Sequence, residues 1–235
     1  MLKELAQYIV GLSKPELIEI NDKIFCDRNL RRYDYNTPEP LLFKSIQGLL
    51  EYIKSDHDCT YDNSFIHIVN YKRIEFMSPL NDDNQREVYA ICEPDVIDIR
   101  FNQFLDRETF NIMLQTGFVG NDDLKEILRY IGTMSDKEVR TVADDGIKQE
   151  ITIKSSTQGL IDVFIPNPVI LRPFRTFVEI EPVESKFVLR LKEGGGCALF
   201  EADGGAWKID TMGALQTYIE DTLQGLEIND IKVFA

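Results

Sequence analysis

The sequence predicts an α+β protein, with an antiparallel, hairpin-built sheet and flanking helices in the C-terminal half and a mixed helix-and-strand N-terminal half. Three observations carry this. From Ile147 onward, apolar side chains recur at every second position, the period of a half-buried strand. The strand-like segments follow at short spacing through glycine-containing turns, which suits antiparallel pairing and leaves no room for crossover helices. Between residues 104 and 132 the apolar residues fall instead at helical spacing.

Leu2, Leu5, Ala6, Ile9 and Leu12 predict a first helix, stopped between Gly11 and Pro15. A short strand is expected near Ile18–Phe25, followed by a polar loop. Thr37 and Pro38 read as a cap and first turn of a helix that carries Leu41, Leu42, Ile46, Leu49, Leu50 and Ile53 and ends near Lys54. FIHIVN (65–70), YKRIEFM (71–77) and EVYAICE (87–93) are rich in β-branched and aromatic residues and predict a meander. Asp106 caps the next helix, with Gly117 expected as its left-handed terminus. Asn121-Asp122-Asp123 opens another, closed by Gly132, and its acids suit the helix dipole.

IKQEITIK (147–154), LIDVFIP (160–166), TFVEIEP (176–182), KFVLRLK (186–192), CALFEA (197–202) and AWKID (206–210) then predict six strands. Asp144-Asp145-Gly146, SSTQG, Gly194-Gly195-Gly196 and Gly204-Gly205 read as turns between them. Asp210 is expected to cap a last helix carrying Met212, Leu215, Ile219 and Leu223. The softest boundary, near 132–146, divides the chain into 1–135 and 136–235, or the two form one continuous domain.

With 235 residues, 43% of them hydrophobic, the chain can bury a substantial core. No run of about 18 apolar residues occurs, so no membrane span is expected. The N-terminus does not read as a signal peptide. Cys26, Cys59, Cys92 and Cys197 are scattered and expected to be reduced, which points to a cytoplasm. The formal net charge of −14 argues against general binding of duplex DNA. Residues 163–192 are the basic interval, with five bases against three acids.

Nucleophilic chemistry finds little support, because the two histidines, His57 and His67, accompany no GxSxG elbow. The glycine clusters lack the strand-to-helix setting that a phosphate loop needs, since strand signals flank both. Glu201 and Asp203 share a face if the strand continues that far, and are weak candidates for a divalent ion; no cofactor is expected. The segment 166–177, stiffened by Pro166, Pro168 and Pro173, stands out. Its Arg172 and Arg175 lie beside Phe174 and Phe177, a combination that holds anions and stacks on planar groups. The competing reading is a rigid crossing with Phe packed inside and Arg paired to local acids. Trp207, the only tryptophan, is expected in the core or as a ligand anchor.

FLDRETFNIMLQ (104–115), DDGIKQEITIK (144–154), PNPVILRPFRTFVEIEP (166–182), FVLRLK (187–192) and ALFEADGGAWKID (198–210) together resemble, in this order, the YfdQ-like family of uncharacterised phage and prophage proteins. The resemblance implies a phage origin and a bacterial cytoplasm. It implies no catalytic residue and no cofactor. The expected function is therefore a non-enzymatic phage accessory protein that binds a host protein or a small anionic, nucleotide-like ligand, as a homo-oligomer, with the blunting of host defence as one expected use. A structural or assembly protein of the phage particle, and a metal-dependent enzyme on nucleotides or nucleic acid using Glu201 and Asp203, are the alternatives.

Overall fold

The apolar stripe at the N-terminus forms helix α1 (Leu2–Leu12). The single strand expected after it is a hairpin, β1 (Leu17–Ile20) against β2 (Lys23–Cys26), with Ile18 opposite Phe25. The computed structural model describes residues 2–12, 17–20, 23–26, 38–58, 63–81, 84–133, 139–144, 149–155, 159–165, 167–192 and 195–235. These fall into two compact units, Met1–Glu39 and Pro40–Ala235. Thr37, Cys59, Pro166, Asp145-Gly146 and the turn at 156–158 lie outside the described residues.

The second unit departs from expectation at its start. Leu41 and Leu42 belong to a strand, β3 (Leu41–Phe43), and helix α2 runs from Ile46 to Ser55. Ser45, not Thr37, is its N-cap: its hydroxyl accepts from the Gly48 amide at 3.2 Å. Ile46, Leu49, Leu50 and Ile53 of α2 are buried. The meander is present as β4 (Phe65–Asn70), β5 (Arg73–Met77) and β6 (Val88–Cys92). β3 joins β6 in parallel at one edge of this sheet.

Helices α3 (Arg107–Gly117) and α4 (Asp122–Thr133) follow. Asp106 caps the first by accepting from the Thr109 amide, and Asn121 accepts from Leu124 at the start of the second. Gly117 is not in the left-handed region; a Cβ there would lie 3.1 Å from the Ile99 side chain, so close packing explains the glycine.

β7 (Val139–Asp144), β8 (Gln149–Ser155) and β9 (Gly159–Ile165) form an antiparallel sheet. β7 occupies the interval read as a boundary. A second antiparallel sheet comprises β10 (Val169–Leu171), β11 (Ser185–Lys192) and β12 (Gly196–Glu201). The strand expected at 176–182 is absent; strand pairing in this region uses Val169–Leu171 instead.

AWKID is not a strand either. It is the first turn of α5 (Ala206–Gly225), whose N-cap is Gly205 and not Asp210. Trp207, Thr211, Leu215, Ile219 and Leu223 are buried at a constant spacing of four, one continuous helical face. Gly204-Gly205, with φ of 64° and 82°, turns a strand into this helix and is not a hairpin. Left-handed backbone of this kind favours glycine.

A final strand, β13 (Lys232–Phe234), pairs in parallel with β4 and completes a five-stranded mixed sheet of order β13-β4-β5-β6-β3. Two cores result. One packs α3 and α4 against β10, β11 and β12. The other packs α2 and α5 on one face of the mixed sheet. The overall class is α+β, with antiparallel sheet towards the C-terminus.

Cys92 lies in the second core, fully buried, its Sγ 3.2 Å from the Ser45 carbonyl. Burial, reinforced by Glu179, pushes its thiol up to about 12 from an ordinary value of 9.0. The folded state therefore keeps a proton that the unfolded chain loses above pH 9. Stability present below pH 9 is lost as pH rises towards 12, by about 1.4 kcal/mol per pH unit in that window. Urea denaturation of Cys92→Ala should show a shallower decline between pH 8.5 and 10.5 than the parent; parallel declines would contradict this.

Candidate functional site

The proline-stiffened segment runs between the two cores and contributes to both. Val169 and Leu171 belong to the first, Phe177 and Ile180 to the second. Its path is held from several sides. Asn167 bonds both the amide and the carbonyl of Leu189, as a neighbouring strand would. Phe174 N–H donates to Gly117 O, and Val119 N–H donates to Arg172 O, both at 2.9 Å. The Thr176 hydroxyl donates to Tyr71 O at 2.6 Å. Glu179 accepts from the Ile46 and Gln47 amides and so supplements the cap of α2, where the helix dipole favours a carboxylate.

The residues singled out from the sequence separate along this path. Arg172 pairs with Glu181 and donates to the Pro182 carbonyl. Phe177 is 1% exposed in the core, whereas Phe174 is 41% exposed. Only Arg175 comes together with Trp207. Its guanidinium lies 3.6 Å from the indole centroid and 5.7 Å from those of Phe101 and Phe187. It donates to Glu201 Oε1 at 2.9 Å and to the Ser185 hydroxyl. The indole N–H of Trp207 donates to the same Glu201 oxygen at 3.2 Å. Burial lowers the Arg175 pKa to about 10, with the charge of Glu201 opposing the shift, so the group is a cation at neutral pH.

A cavity of about 300 Å³ opens above this cluster. Arg175, Glu201 and Trp207 line one part of it, and the extended chain at Val96–Ile99 another. Tyr71 and Lys72, at the β4–β5 turn, Phe101, and Lys208, in the first turn of α5, complete the lining, whose carboxylates are Asp98 and Glu201. An Asx turn, Lys72 N–H to Asn70 Oδ1 at 2.8 Å, fixes the turn. Tyr71 meets Trp207 edge to face at 4.6 Å. Both lysine ammonium groups lie near the aromatic pair, Lys72 at 5.7 Å from the Tyr71 centroid and Lys208 at 5.8 Å from both rings. Among the described residues, neither lysine is ion-paired.

Tyr71, Lys72 and Lys208 were missed in sequence. Each is an unremarkable turn or surface residue until the fold brings the β4–β5 turn to the start of α5. Recognising that Trp207 continues the helical face of Leu215 would have placed Lys208 at a helix start.

The weak metal candidates have other roles. Glu201 serves Arg175 and Trp207, and Asp203 Oδ1 accepts from the Gly205 amide at 2.9 Å. No cluster of three or more potential ligands from His, Cys, Asp and Glu occurs among the described residues. No helix among them is long and apolar enough to cross a membrane. No protein-family model, curated protein or solved structure matches the chain.

Proposed function

We propose that the chain is a non-enzymatic binding protein that holds a small, planar, anionic ligand of nucleotide type in the cavity lined by Tyr71, Lys72, Trp207 and Lys208. The observation that carries this reading is the placing of Lys72 and Lys208, without carboxylate partners among the described residues, beside an aromatic pair at a concave site. Lysine supplies charge to a phosphate, and aromatic faces accept a base by stacking. Arg175 is already satisfied by Glu201 and Ser185, so its role is to fix the Trp207 ring, not to grip the ligand directly. We propose further, on the resemblance read from the sequence of residues 104–210, a phage accessory role in a bacterial cytoplasm; the host component served and the expected homo-oligomer belong to the same proposal.

Trp207 is the only tryptophan, so its emission reports this cavity alone. Titration with a panel of nucleoside mono-, di- and triphosphates should quench or shift that emission saturably with at least one member. Lys72→Glu with Lys208→Glu should weaken the response about tenfold or more, the effect of losing charge-assisted contacts. No response to any nucleotide at millimolar concentration, or an unchanged response in the double variant, would refute the reading.

A further inference from the structure

The mixed sheet buries one face under α2 and α5; a second, larger cavity of about 750 Å³ lies at its β13 edge, away from Trp207. One stretch of its wall is apolar, and Asn63, Ser64 and His67 add polar groups to the lining. Phe65 and Phe234 meet edge to face at 5.5 Å, and Met77, Pro79 and Leu80 extend the same surface. Phe234 and Leu80 are 50% and 52% exposed, unusual for large apolar side chains with a groove between them. The rim is cationic. The Arg86 guanidinium lies 4.8 Å from the Phe65 centroid and donates to the Ser78 carbonyl. Lys232 stands opposite Phe65 in the register. Among the described residues, neither cation has a carboxylate partner, and Asp230 is the only carboxylate in the lining. Two such cations gathered on one groove are notable in a chain of net charge −14.

We infer that this groove is a second binding site, for an amphipathic anion with a hydrocarbon body and one anionic head, of the medium-chain fatty acid kind. The volume falls in the range of small-ligand pockets, about 300–1,000 Å³. A protein partner needs roughly 20–30 residues a side, far more than this short groove supplies. The hydrocarbon body removes the exposed surface of Phe65, Phe234 and Leu80 from water, and the head completes the hydrogen bonding of Arg86 and Lys232.

Isothermal titration calorimetry with decanoate, below its micelle concentration, tests this on the whole chain. One saturable site is expected, with decanol binding at least about tenfold more weakly because it lacks the charge. Arg86→Glu with Lys232→Glu should weaken decanoate by a similar factor, and so should Phe234→Ala, each variant having the circular dichroism spectrum and urea midpoint of the parent. Trp207 emission should stay constant throughout, which separates this site from the nucleotide cavity. Absence of binding at millimolar decanoate, equal binding of decanol, or unchanged binding in both variants would overturn the assignment.

Discussion

Arg175→Ala should destabilise the protein by about 3 kcal/mol or more, because it breaks a largely buried ion pair and leaves Ser185 without its partner. The stacking of the guanidinium on Trp207 at 3.6 Å is lost as well. Arg175→Lys should recover only part of this, since an ammonium reproduces neither the fork nor the planar stacking. Urea denaturation followed by circular dichroism provides the measurement. A loss below 1 kcal/mol for the alanine variant would show that the cluster does not hold the segment in place. The result also decides how binding data are read: loss of ligand in Arg175→Ala follows from loss of the Trp207 wall, whereas loss in Lys208→Glu reports the ligand contact.

Phe177→Ala should cost about 3–5 kcal/mol, the usual range for removing a buried aromatic ring. Phe174→Ala, three positions earlier, should stay within about 0.5 kcal/mol because that ring is 41% exposed. The contrast tests whether the proline-rich segment anchors the second core. Similar losses at both positions would mean that Phe174 is covered in solution. A single unfolding transition in the Phe177 variant is expected, since the segment ties both cores into one cooperative unit.

Period and capping made much of this architecture legible. FIHIVN and KFVLRLK alternate cleanly, and Asp106 and Asn121 cap the helices they precede. The failures have physical causes. Leu41 and Leu42 fit a helical stripe, but parallel pairing with β6 takes them into a sheet edge, a contact with no local signature. TFVEIEP alternates like a strand, yet Thr176, Phe177 and Glu179 are each drawn to a different distant partner. AWKID alternates as well, and only the longer spacing from Trp207 to Leu223 identifies a helix. The candidate site was partly visible for the same reason: Arg175 and Trp207 are distinctive residue types, whereas Lys72 and Lys208 acquire meaning only from tertiary placement.

The pairing of β13 with β4 has a consequence for synthesis. On the ribosome, β4 emerges early, while β13 arrives only after almost all the rest of the unit. Until then one side of β4, along Phe65, Ile66 and His67, is an open strand edge in the nascent chain, able to pair with whatever extended segment it meets. The mixed sheet can therefore be finished only after the rest of the unit has been made, and α5, which covers the same sheet, arrives shortly before β13. Slow synthesis or high expression would prolong that exposure, so yield should depend on chaperone supply and growth temperature more than the stability of the finished fold would suggest.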